Sequence, residues 1–109
     1  MTTGVVAAMP VEARCLPAET SPDPETPPRR AVRVSGAGPQ AAATAARELL
    51  TEGATRLLSW GIAGGLDPAL RPGTLFLPDS LAGDPCLVCD RSWRDRVRAR
   101  LAPAMDIAE

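Results

Sequence analysis

The chain has no histidine, lysine, asparagine or tyrosine, and only one phenylalanine and two tryptophans. Without histidine it cannot build a Ser-His-Asp triad, a Cys-His pair or a histidine metal site from its own residues. Proton transfer must therefore use Asp, Glu, Cys, water or the substrate. An excess of charge of either sign is missing too. Twelve arginines face 13 acidic residues, for a net charge of −1, which removes the basic footprint of a general nucleic-acid binder. No apolar run reaches the roughly 18 residues of a membrane span. The N-terminus, MTTGVVAAMPVEA, lacks a basic segment and meets an acid at Glu12, so it does not read as a signal peptide. Cysteines are few and odd in number: Cys15, Cys86 and Cys89. With no secretion signal, reduced thiols and a cytoplasmic location are expected. Cys86 and Cys89 have CxxC spacing, but a zinc site would need two further ligands from Cys15 and carboxylates. A redox motif would have to open a helix directly after a strand. Both read as incidental thiols, some of them buried.

What is present suits one small soluble domain. The 109 residues weigh 11.4 kDa, with 45% hydrophobic and 23% charged residues, ordinary values for a globular protein. Alanine, arginine and proline dominate, a bias common in GC-rich coding sequences.

Residues 4–9, GVVAAM, form a short apolar run with β-branched members, ending at Pro10. It predicts a strand buried on both faces, as inside a parallel sheet. Residues 11–16 predict a short helix. Residues 17–30 hold five prolines, which rules out a helix or central strand there and predicts a loop. Residues 31–35 alternate as a second strand. Pro39 suits a helix's first turn, and residues 40–52 have high helix propensity. Their apolar stripe is Ala42, Ala45, Ala46, Leu49 and Leu50, with Gly53 as the stop. Residues 55–60 predict a third strand and 74–78 a fourth. Residues 83–90 read as a loop, and 91–102 as an amphipathic helix with Trp93, Val97 and Leu101 at helical spacing. The arginines of that helix read as a solvated face. This order predicts an α/β fold with a largely parallel sheet. The end at 105–109 comes abruptly for a complete α/β domain.

Glycine clusters follow two strands, at 36–38 and 61–65. Ligands of open α/β sheets bind outside the carboxyl ends of strands. Those two ends and the end at Met9-Pro10-Val11-Glu12 are therefore expected to converge on one crevice. Glu12 is the only ionisable side chain near the first strand end, hence a candidate general base. The alternative is a surface acid at a helix N-terminus, where the macrodipole favours it. Residues 36–41 also match the dinucleotide fingerprint G-x-G-x-x-A. That fingerprint wants an acid at the end of the next strand, and Ser59-Trp60-Gly61 supplies none, which argues against dinucleotide binding.

The blocks Gly4–Glu12, Ser35–Gly38 and Trp60–Leu66, with Pro72-Gly73 and the strand after it, resemble the nucleoside phosphorylase/nucleosidase superfamily in order and approximate spacing. They are similar to the 5′-methylthioadenosine/S-adenosylhomocysteine nucleosidases. The nearest resemblance is to the hopanoid-associated phosphorylases, through the phrase SWGIAGGLDPALRPGTL followed by a Trp-Arg helix. The resemblance implies a three-layer fold around a mostly parallel sheet. Residues 1–109 would form only the N-terminal half of that domain, with 17–30 as a loop within it.

The implied activity is cleavage of a purine N-ribosidic bond in an adenosyl-type nucleoside, with a role in hopanoid synthesis as one option. Glu12 would activate water; phosphate as the nucleophile, held with arginine help, stays open. Met9 would line the ribose, Ala63 and Gly64 would offer backbone to adenine, and Ala37, Gly38 and Ile62 would shape the rest of the pocket. A small residue at 37 suits a bulky 5′ substituent. No cofactor is implied beyond phosphate as a co-substrate, and the partner is a small purine nucleoside. A homo-oligomer is expected at full length, and an exposed sheet edge in a half domain predicts self-association. The family's ribose-gripping acidic pair and its purine-protonating aspartate have no counterpart in these residues. The chain alone is therefore expected to be poorly active. The rival reading is a non-catalytic α/β fragment that binds a nucleotide or a partner chain.

Overall fold

The computed structural model describes residues 2–19, 25 and 29–108. They fall into two compact units that meet in sequence between Ala63 and Gly64.

The first unit is a parallel sheet with two helices. It contains β1 (Thr2–Ala7), α1 (Pro10–Arg14), β2 (Arg30–Val34), α2 (Pro39–Thr51) and β3 (Ala54–Trp60). The strand order is β2-β1-β3, with both pairings parallel. The apolar central strand is the one the sequence marked as doubly buried, and Val5 and Ala7 are sealed from solvent. Its other face meets α2. A side chain at Gly4 would lie 2.9 Å from Leu57 Cδ2 and 3.1 Å from Leu49 Cβ. Glycine at this position lets the helix settle against the strand.

α2 starts at Pro39 in its first turn and stops before Gly53, whose φ of 106° is left-handed. Ala45 and Leu49 of its predicted stripe are buried, whereas Leu50 is 49% exposed. An apolar stripe drawn from sequence is wider than the arc one sheet can cover. On the edge strand, Arg33 pairs with Glu48 and Glu52 of α2, a surface arrangement worth about 0–1 kcal/mol per pair.

The proline-rich segment is closed at its base. Glu19 accepts hydrogen bonds from the amides of Arg29 at 2.7 Å and Arg30 at 3.1 Å. Residues 20–24 and 26–28 of the predicted loop lie outside the described residues.

The second unit holds short strands and one long helix. β4 (Leu75–Phe76) pairs in parallel with β7 (Ile107–Ala108), and β5 (Ser80–Leu81) pairs antiparallel with β6 (Leu87–Val88). The strand predicted at 74–78 is thus only two residues long, and the loop predicted at 83–90 contains a strand. Two-residue strands show no alternation, so the sequence carries no period from which to read them.

α3 (Arg91–Leu101) is capped by Asp90, whose side chain accepts from the Trp93 amide at 2.8 Å. Trp93, Val97 and Leu101 are only half-buried, and no residue of this helix is buried. The thiols correct another expectation. Cys15 and Cys86 are exposed and Cys89 is half-buried, so none is buried. The extended pair Leu87–Val88 separates Cys86 from Cys89. Three extended steps span roughly 10 Å, beyond the reach of a disulfide.

Among the described residues no helix is long and apolar enough to cross a membrane.

Candidate functional site

Because all three strands of the first unit run parallel, their carboxyl ends share one edge. The chain leaves β1 for β2 on one side and returns as β3 on the other. That reversal is a topological switch point, where open α/β sheets form their binding crevice.

At this edge the two flanks of β1 are closed differently. Toward β2 the backbone ladder simply continues, with the Ser35 amide donating to Ala7 O at 2.8 Å and the Gly36 amide to Ala8 O at 3.0 Å. Toward β3 the ladder stops at the pair Ala7↔Trp60. Two residues further on along each strand stand Met9 and Ile62. The Glu12 carboxylate spans them. Its Oε1 accepts from the Met9 amide at 3.0 Å and its Oε2 from the Ile62 amide at 2.7 Å. A side chain here replaces the missing rung.

Local sequence explains how Glu12 arrives there. β1 ends, Met9 is extended, and Pro10 opens a five-residue helix with Glu12 as its third residue. From that position a glutamate reaches back to the amide preceding the helix. The bond to Ile62 lies 50 positions away in sequence. Gly61 makes it possible, because a Cβ there would lie 2.1 Å from Glu12 Oε2. Trp60 adds a third tie, its indole Nε1 donating to the Glu12 carbonyl at 2.9 Å.

Glu12 is 4% exposed, the only buried polar or charged residue among those described. The alternative of a surface acid at a helix start is therefore corrected: the residue does cap its helix, but inside the protein. Burying a carboxylate is costly, and two backbone amides offset part of that cost. No described ion pair involves Glu12. Around it Met9, Val11 and Ile62 stand 47%, 48% and 73% exposed. The edge is thus a buried acid within an apolar rim.

The other predicted residues are distributed as follows. Ala37 and Gly38 directly follow the Gly36–Ala8 bond and are exposed. Ala63 follows Ile62, also exposed, and Gly64 opens the second unit. The sequence reading missed the part of Trp60 and Gly61. A tryptophan-glycine pair at a strand end is the only local signal, and it says nothing about a partner at position 12. Two hollows of about 290 and 310 Å³ flank α2, and neither is lined by residues of the Glu12 edge. Of the charges lining them, Arg33 pairs with Glu48 and Glu52.

The comparisons with known proteins agree with this architecture. A family model described as the phosphorylase superfamily matches residues 2–103. The chain belongs to the phosphorylase superfamily. The match runs across all three strand ends and through α3. Membership of the superfamily supports a nucleoside phosphorylase or nucleosidase type of activity in general terms. No curated protein and no solved structure matches the chain.

Proposed function

We propose that this protein serves the cleavage of a purine N-ribosidic bond in an adenosyl-type nucleoside, with Glu12 as the general base toward water. The observation carrying this reading is the Glu12 carboxylate, buried yet set at the switch-point edge of the sheet. Each oxygen accepts one described hydrogen bond, and a carboxylate oxygen has two lone pairs. A water held on the remaining capacity would give its proton to Glu12 as its oxygen attacks C1′ and the bond to the purine nitrogen breaks.

Electrostatics favours water over phosphate at this edge. Two like charges 4 Å apart repel by about 4 kcal/mol at an effective dielectric near 20. Among the described residues no arginine pairs with Glu12 to offset that term. Phosphate as co-substrate, the second reading, needs a cation brought to this edge. No other cofactor is part of the proposal.

Met9 and Ile62 offer apolar surface beside the acid, suited to the ribose and the 5′ side. Ala63 carries only a methyl group, so backbone there can approach a flat base, and Gly64 next to it is part of the same proposal. The small Ala37 leaves room for a bulky 5′ substituent, which is the feature that fits an adenosyl-hopane substrate. In this proposal turnover by the 109 residues alone is slow, because Glu12 is the one buried acid among the described residues and none is placed to protonate the departing purine.

Titration of the purified protein with 5′-methylthioadenosine, followed by amide NMR, tests the reading. Amides at 37–38 and 62–63 are expected to move. Residual adenine release is expected to fall by roughly 10²–10⁴-fold in Glu12→Gln, the usual contribution of a positioned base. A nucleoside that leaves those amides unmoved, or release unaffected by the substitution, would refute it. Free ribose rather than ribose 1-phosphate among the products identifies water as the nucleophile.

A further inference from the structure

We propose that Trp60 is the positioning residue for the Glu12 carboxylate, holding α1 in place through the main chain so that the carboxylate is free to change charge. The inference rests on reading Glu12 as the base.

α1 has five residues, far too few to be stable by itself. Its internal bonds, from the amides of Glu12 and Ala13 to Met9 O, fix its shape but not its place. Two ties run from Glu12 to the end of β3: the Ile62 amide to the side chain and the Trp60 indole to the carbonyl. Trp60 and Ile62 flank Gly61, whose missing Cβ leaves the space that Oε2 occupies. One residue is thus gripped twice, at its backbone and at its side chain, by positions two apart on the same chain segment.

The two grips respond differently to chemistry. When a carboxylate takes up a proton, that oxygen becomes a poorer acceptor and gains a donor. The Ile62 bond then weakens at the moment of proton transfer. The Trp60 bond goes to a backbone carbonyl that does not titrate. The indole is a stiff anchor with only two side-chain torsions. With Trp60 in place, α1 keeps its position through the charge change; without it, the reacting group makes the only hydrogen bond left between α1 and the end of β3 among the described residues.

Amide and indole NMR of the purified 109-residue chain tests this. In Trp60→Phe the Ile62 amide proton is expected to move toward its position in Glu12→Gln, while Val5 and Val32 amides stay put. In Glu12→Gln the Trp60 indole proton is expected to hold its position. An Ile62 amide unmoved in Trp60→Phe overturns the proposal. Should that variant not fold, the unsubstituted protein decides. Exchange of the Trp60 indole proton about tenfold slower than in free tryptophan supports the tie, and exchange at the free rate overturns it. The adenine-release assay on Glu12→Gln reports separately on the base, so failure of the chemistry and failure of the positioning are told apart.

Discussion

Glu12 shows how a single residue serves both fold and chemistry. Its two hydrogen bonds substitute for the rung that the β1–β3 ladder lacks beyond Ala7 and Trp60. Removing the acid therefore removes an architectural contact as well, and a urea midpoint measured beside adenine release tells the two effects apart in Glu12→Gln. Gly61→Ala tests the carboxylate's position, because it keeps the acid and displaces it. A Cβ 2.1 Å from Oε2 cannot coexist with the observed carboxylate position. The expected outcome is a stability loss of about 1–3 kcal/mol, as for other overpacked sites, read as a lower urea midpoint. Adenine release should fall as it does in Glu12→Gln. A variant with unchanged midpoint and unchanged release would show that the carboxylate position does not matter. Glu12 itself was legible as a candidate because it is the first acid after the first strand; its burial and its second partner were not.

The elements differ in how much of them was written locally. β1, α2 and β3 have runs of five or more residues with clear period or propensity, and the structure places them within two residues of their sequence-derived ends. β5 and β6 were missed because two residues cannot show a period. The apolar stripe of α2 was read one residue too wide. Leu49 is 1% exposed and Leu50 is 49% exposed, so adjacent leucines should behave very differently. Leu49→Ala is expected to cost about 2–5 kcal/mol, while Leu50→Ala should stay within about 0.5 kcal/mol. Chemical denaturation monitored by circular dichroism checks the pair. Equal losses at both positions would mean that α2 packs in another rotation.

Across the whole molecule, burial is uneven. Val5, Ala7, Ala45, Leu49 and Ala54 make up the buried hydrophobic core, and all belong to the first unit. Among the described residues from 64 onward none is buried. Regions with few buried apolar contacts open at low free energy. Amides of residues 64–108 are therefore expected to exchange with deuterium faster than those of β1. Trypsin should cut first at the arginines of α3, before Arg33 or Arg56 of the sheet. Mass spectrometry of a timed digest checks the order, and initial cleavage in β2 or β3 would contradict it. The sheet of the first unit also has two edges, β2 and β3, with Val32, Val34 and Leu57 at least 36% exposed. Apolar edges of this kind are what self-association uses.

In the first unit, sequence alone determined which segments extend, which coil and which end in glycine, because those outcomes depend on side-chain shape and periodicity within a few residues. It also marked Glu12, the first ionisable residue after the first strand. Only the tertiary structure decided that β1 lies between β2 and β3, that the acid is buried, and that Trp60, Gly61 and Ile62 hold it. Those facts depend on strand pairing and on contacts across some fifty positions, where local propensity has no reach.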